Sequence, residues 1–596
     1  MEHEKLGRLP SWDLSALFCG ADDPRIAETL RDAHQRADEF QQAWRGKITD
    51  ASLPEDILRA LQEYEAILQE AVKPYLYADL LHATDVENPN HGALAQKTQV
   101  ALTDIGNKLL FLGLELIGLS DETLRRLVDG DALKNYAHYL EKLLRTKPHR
   151  LIEREEQMMN DFSLTGASAF TRLFDEELSR KKFRVVIDSE THEWPEEKVL
   201  NLLHDADREK RKAGADAITR ELEKDLWRLT YIFNTLAQDK HISDRYQKYA
   251  TPEASRHLAN ETTQEMVDTM SAAVSEGIGV VADYYSLKRE VLGLSELYDY
   301  DRYAPVLASE KIYSFDEARE IVLSAYGKFS PVMREKGSEF FEKRWIDAEA
   351  RHGKRGGAFC SYMTPDTHPV VFLNYLGATK HVLTLAHELG HGVHASLMRK
   401  HTLLNFDTPL TIAETASVFG EMLVFDSLRK TLEGKERVAL YMGKIEEIFA
   451  TVFRQHAMYK FEQDFHTARR SEDELKSERI GELWMSHQKA MFGDSVTMRD
   501  DYSLWWSYIP HFLHTPFYVY AYTFGELLTL SLYDTYLKTD DKAAFADTYI
   551  AMLETGGTKS PQELVDPFGV DLSSKEFWQG GIRVVREMVE EARKLN

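Results

Sequence analysis

Apolar residues recur at intervals of three and four through most of the chain, as at Leu58, Leu61, Tyr64 and Leu68. That period places them on one stripe of an α-helix, so the pattern predicts a predominantly α-helical fold. Two regions break it. Residues 181–188 (Lys-Lys-Phe-Arg-Val-Val-Ile-Asp) read as a short extended run, followed by Trp194-Pro195-Glu196-Glu197, which reads as a helix start. Between residues 353 and 374, Gly356-Gly357-Ala358-Phe359-Cys360-Ser361-Tyr362 and Pro369-Val370-Val371-Phe372-Leu373-Asn374 read as two short strands joined by Thr364-Pro365-Asp366-Thr367. Residues 379–400 then predict a largely buried helix, with Val382, Leu383, Leu385, Ala386, Leu389, Val393, Leu397 and Met398 as its apolar positions. Residues 411–429 predict a second apolar helix with very few charges.

A chain of 596 residues exceeds what one compact core organises, so two or more lobes with a cleft are expected. The break near residue 200 sets the expected division: an N-terminal helical lobe over 1–200 and a larger domain over 201–596. The 17 prolines and 32 glycines form no long linker between them.

Charge narrows the partners. The chain carries 73 basic and 98 acidic residues, a net charge of −25, which repels nucleic acid and anionic lipid. Its two cysteines, Cys19 and Cys360, have no metal or disulfide spacing and suit a reducing cytoplasm. The first residues, Met1-Glu2-His3-Glu4-Lys5, lack the apolar run of a signal peptide. Neither 109–119, too short and broken by Glu115, nor 511–533, which contains His511, His514, Pro516 and Glu526, is expected to span a bilayer.

The helix over 379–400 contains His387-Glu388-Leu389-Gly390-His391. Imidazoles at i and i+4 project from one face and can share a tetrahedral Zn²⁺, with Glu388 beside the open position to hold a water. With 22 histidines the five-residue pattern arises by chance in roughly one such chain in ten, so context must carry weight. Gly390 and Gly392 supply some: each costs about 1 kcal/mol against alanine in a helix, which close approach of another element would explain.

A catalytic zinc takes a third protein ligand. His394 is one candidate, but on a straight helix it lies about 10 Å along the axis from His387. Glu414 is the better one, because a lone carboxylate in the apolar 411–429 helix needs a partner. Glu421, seven residues on, shares its face and can orient a ligating histidine from behind.

These segments resemble the thimet-oligopeptidase-type zinc metallopeptidases, and specifically the oligoendopeptidase F branch. The resemblance rests on Gly357-Ala358-Phe359-Cys360, Asn374-Tyr375, Thr384-Leu385-Ala386-His387-Glu388-Leu389-Gly390-His391, Glu414-Thr415-Ala416-Ser417 with Glu421, and the aromatic segment after Ile509-Pro510-His511. Ser163-Leu164-Thr165-Gly166-Ala167-Ser168-Ala169-Phe170 with Leu173-Phe174-Asp175-Glu176 extends it towards the N-terminus. It implies a two-lobed, zincin-like helical body around a deep channel, with a small sheet near the active site. It also implies one Zn²⁺ on His387, His391 and Glu414, with Glu388 as general base, and internal cleavage of short peptides that fit the channel.

Charge developing on the scissile carbonyl oxygen needs donors beyond a metal. His511, Tyr522 and then Tyr518 are the candidates within the run from His511 to Tyr522. The strand over Gly357, Ala358 and Phe359 is expected to pair with the backbone of an extended peptide. Two rivals remain open. An exopeptidase removing C-terminal dipeptides needs a fixed cation for the terminal carboxylate, such as Arg355. A silent peptide-binding scaffold has no use for Glu388. Oligomeric state leaves no mark on the sequence.

Overall fold

The computed structural model describes residues 6–306 and 311–596. Helices run from Pro24–Trp44 to Lys575–Leu595, as the hydrophobic period predicts, and five short strands interrupt them among the described residues. The strands are β1 (Phe183–Ile187), β2 (Glu190–Trp194), β3 (Ile346–Glu349), β4 (Phe359–Ser361) and β5 (Val370–Tyr375).

The chain forms two compact units. The first takes the segments up to Pro148, Lys311–Lys430 and Lys538–Val570; the second takes the stretches between them and Asp571–Asn596. Each is therefore assembled from segments remote in sequence, whereas the chain pattern gives a single boundary near residue 200. Packing of distant helices leaves no mark on local composition.

In the first unit Pro24–Trp44, Pro54–Thr84 and Pro89–Leu109 each begin with proline in the first turn, where its missing N–H costs nothing. Phe40, Leu61, Ile105, Leu112, Tyr136 and Leu140 meet in their shared core. Buried Glu65 is satisfied there, accepting from the Tyr136 hydroxyl at 2.5 Å and the Leu404 N–H at 2.7 Å.

The sheet of this unit has the order β3-β5-β4, with β5 parallel to β3 and antiparallel to β4. The two strands read from the sequence are β4 and β5; β3 escapes that reading. It spans four residues, two of them acidic, and one of these is buried Asp347. Lys354 makes that burial tolerable: its ammonium donates to Asp347 Oδ1 and to the Leu373 carbonyl, both at 2.6 Å, and lies 4.4 Å from the Phe372 ring centroid. The sheet leads directly into the helix Thr379–Met398.

In the second unit β1 and β2 form an antiparallel hairpin whose two-residue turn places Asp188 and Ser189 at φ 50° and 69°. That is the left-handed turn which suits the twist of paired strands. The sequence shows β1 but hides β2, because Glu-Thr-His-Glu-Trp is polar and mostly exposed. A helix, Glu196–Asn201, starts after Pro195 as expected. Among the described residues no helix is long and apolar enough to cross a membrane.

Candidate active site

His387, Glu388 and His391 all lie on the Thr379–Met398 helix. His381 closes its first turn, Nδ1 accepting the Ala378 N–H at 3.1 Å. One turn apart, the His387 and His391 rings have centroids 5.0 Å from each other and planes at 80°. The second helix is not continuous over 411–429. It divides into Leu410–Ala413 and Thr415–Arg429, with Glu414 at the junction. Glu414 Oε2 lies 3.3 Å from His387 Nε2 and 3.4 Å from His391 Nε2. The Ser417 hydroxyl donates to the same oxygen at 2.8 Å, a partner that the i,i+3 spacing could have revealed.

The three groups form a candidate metal-binding cluster. A tetrahedral ion bound at about 2.0–2.1 Å separates its ligand atoms by about 3.3–3.4 Å, which matches the two spacings to Glu414. Two imidazoles and a carboxylate are also the donor set of a hydrolytic zinc site with one position free. Side-chain exposures of 28% for His387 and 33% for Glu414 leave the cluster accessible.

Both outer imidazole nitrogens have partners. His387 Nδ1 is 3.3 Å from Glu421 Oε2, and His391 Nδ1 is 3.2 Å from the Tyr362 hydroxyl. With Nδ1–H donating to these oxygens, the Nε2 lone pairs face Glu414. Sequence spacing pointed to Glu421 but not to Tyr362, which lies just beyond β4. Burial opposes charge on Glu414, yet in the protonated form of the rings, where Nε2–H donates to it, His387 and His391 prevail and hold the carboxyl well below the usual range.

Glu388 is buried beside them and accepts no hydrogen bond among the described residues. Burial raises its carboxyl above the usual carboxylate value, against the pull of His387 and His391. His394 lies outside the cluster, 1% exposed, its Nδ1 unpartnered and its pKa pushed down by burial to about 3. Gly390 is explained by close approach: a Cβ there would sit 2.6 Å from the Ala416 carbonyl oxygen and 2.7 Å from Ser417 Cα. At Gly392 it would meet the Phe340 ring at 2.4 Å.

Strand β4 is at the edge of its sheet. Gly357, at φ 80°, turns the chain into it, and the Asn374 amide donates to the Arg355 and Gly357 carbonyls at 2.9 Å each. Ala358 and Phe359 follow, the Phe359 ring stacking on Phe372 at 4.7 Å.

His511, Tyr518 and Tyr522 form a cluster of their own in the second unit. His511 opens the four-residue helix His511–His514, and Tyr522 lies in the first turn of Val519–Lys538. Ring centroids are 6.3 Å apart for His511 and Tyr518, 6.0 Å for His511 and Tyr522, and 4.9 Å for the two tyrosines. Burial lowers the pKa of His511.

The chain is similar to known proteins along most of its length. The model of Peptidase family M3 matches residues 201–584, and that of Oligopeptidase F matches 115–183. Oligopeptidase PepF of Bacillus subtilis is 26% identical over 93% of this chain and 82% of its own length. An oligoendopeptidase F homolog of Borreliella burgdorferi is 26% identical over 98% of each chain. In fold, the chain is similar to a crystal structure from Chlamydophila abortus (TM-score 0.87, 24% identity, 98% of each chain). It is also similar to oligoendopeptidase-F of Enterococcus faecium (TM-score 0.70, 19% identity, covering 96% of this chain and 97% of that one).

Proposed function

The chain belongs to peptidase family M3, and from that premise we propose that it cleaves internal bonds of short peptides with one Zn²⁺ held by His387, His391 and Glu414. The observation that carries this reading is the convergence of both Nε2 atoms on Glu414 Oε2. A bound Zn²⁺ supplies Lewis acidity, polarising the scissile carbonyl and acidifying a water. Glu388 takes that water's proton and returns it to the leaving amine, a transfer made easier by a carboxyl whose pKa is raised by burial. Glu421 and Tyr362 hold the two imidazoles in the tautomer that offers Nε2. The free edge of β4 takes the peptide backbone, with Gly357, Ala358 and Phe359 as its contact. The imidazole of His511 and the phenols of Tyr522 and Tyr518 suit the role of donors to the developing oxyanion.

The net charge of −25 argues against nucleic acid and anionic membranes as partners, and the two free cysteines fit a reducing cytoplasm. The exopeptidase reading needs Arg355 for the substrate's terminal carboxylate. The Arg355 guanidinium is 3.7 Å from Asp79 Oδ1 and 4.6 Å from the Phe359 ring centroid, so that carboxylate would have to compete with Asp79.

The test compares wild type with Glu388→Ala on a nine-residue peptide, with products identified by mass spectrometry. Wild type should cut internally and stop on addition of a chelator. The variant should keep its zinc and lose hydrolysis by about three orders of magnitude or more. Successive C-terminal dipeptides, or equal inactivity of both proteins, would overturn the proposal.

A further inference from the structure

The second unit contains a cavity of about 560 Å³ that none of the roles above uses. Its floor is apolar: Phe233, Leu236, Phe465, Phe512 and Leu513 are all buried. Its polar groups lie among the lining residues of three helices and the segment after His511, the arrangement of a small-ligand site.

Most charges lining it are already paired. Arg172 reaches Glu176 at 2.8 Å, and Lys240 reaches Asp244 at 2.9 Å. His514 Nε2 is 2.7 Å from Asp175 Oδ1. Asp239 is different: its carboxylate has no ion pair or hydrogen bond among the described residues. Burial alone moves its pKa, upward, with no cation pulling it back. In the same lining, His466 is 3% exposed with an unpartnered Nδ1, and burial keeps the ring neutral. The cavity thus offers an uncompensated anion and an aromatic floor to a ligand that brings a cation on an apolar body.

We propose that this cavity binds a peptide's alkylammonium or guanidinium group together with its apolar neighbour, Asp239 receiving the cation and the Phe233–Phe465–Phe512 floor the apolar part. The charge of the whole chain favours the same ligand, because a protein of net charge −25 draws cationic peptides towards it. Leu513 and His514 share their four-residue helix with His511, so an occupant bears on the segment that carries the proposed oxyanion donors. The inference rests on the peptidase reading only in naming a peptide as the source of the cation.

The test measures binding to the full-length, zinc-loaded Glu388→Gln protein by fluorescence anisotropy, so it does not depend on turnover. Three nine-residue peptides carry a C-terminal dye: a free amino terminus followed by phenylalanine without lysine or arginine, its acetylated form, and the acetylated form with lysine beside the phenylalanine. The free or the lysine peptide should bind roughly tenfold tighter than the acetylated lysine-free one, and which of them does identifies the source of the cation. Asp239→Asn should bring that ratio to within about twofold. Thr171→Trp, which introduces a bulky ring at the cavity lining, should do the same. Ratios are taken between peptides on one protein sample, so loss of folded protein cancels. Equal binding of all three peptides by the Asp239 protein, or an undiminished ratio in Asp239→Asn, overturns the proposal. If the ratio behaves as expected but the wild type cleaves none of the peptides, the site stands and the peptidase reading falls.

Discussion

The hydroxyl of Tyr362 lies 3.2 Å from Nδ1 of His391. This contact joins the residue that follows β4 to a proposed metal ligand, 29 positions away in sequence. It leaves His391 with a neutral phenol where His387 has the Glu421 carboxylate. Partners of this kind fix the imidazole tautomer and typically change metal affinity by about 10–100-fold. Tyr362→Phe should therefore raise the Zn²⁺ dissociation constant by about tenfold or more, measured by competition with a chromophoric chelator. Unchanged affinity would mean that the hydroxyl does not position His391.

The closeness of the two site helices gives a second prediction. At Gly390 the three atoms nearest an added Cβ are all backbone, Ala416 O and Ser417 Cα closest, and neither can rotate away. Gly390→Ala should destabilise the chain by about 1–3 kcal/mol in chemical denaturation, and should weaken zinc binding by displacing the turn that carries Glu414. Gly113→Ala is the control. It lies in the helix Phe111–Gly118 with nothing within 4 Å of the added atom, so it should stabilise by about 0.5–1 kcal/mol. Equal effects at the two positions would refute the steric account.

What the sequence revealed is what local geometry determines. The i,i+4 spacing of His387 and His391 is a property of any helix, and so is the stripe that buries Leu61. The Glu414 junction was not legible, because residues 411–429 have an unbroken apolar pattern and only the packed structure shows where the helix divides. Strand β2 was hidden by exposure, and β3 by a buried aspartate whose partner, Lys354, lies seven residues on. Tyr362 required the approach of a strand to a helix, and no periodicity encodes that. The discontinuous units illustrate the same point at the scale of the chain.

Metal removal should be felt in folding as well as in activity. A ligand that binds only the folded chain stabilises it by RT ln(1 + [L]/Kd), about 4 kcal/mol at a thousandfold excess over Kd. Chelation should lower the unfolding temperature, and added Zn²⁺ should restore it. The same treatment of His387→Ala should change little. An equal chelator response in both proteins would place the stabilising ion elsewhere.

Glu462 is 1% exposed, and burial raises its pKa to about 8 against the backbone hydrogen bond and the pull of Lys240 and Arg256. Its Oε1 accepts the N–H of Phe517 at 2.8 Å, and its Oε2 has no partner. Phe517, at φ 61°, is a non-glycine residue in the left-handed region, at the turn between His511 and Tyr518. Because the folded pKa lies above the unfolded value of 4.5, the folded chain binds more protons than the unfolded one between those limits. The stabilisation is complete at low pH and is lost as pH rises through about 8. Glu462→Gln keeps an acceptor for Phe517 and cannot ionise. Between pH 5 and pH 9 the wild type should therefore lose roughly a few kcal/mol of unfolding free energy relative to the variant. Parallel stability curves for the two proteins would show that Glu462 does not titrate in this range, and that its ionisation does not govern the turn between His511 and Tyr518.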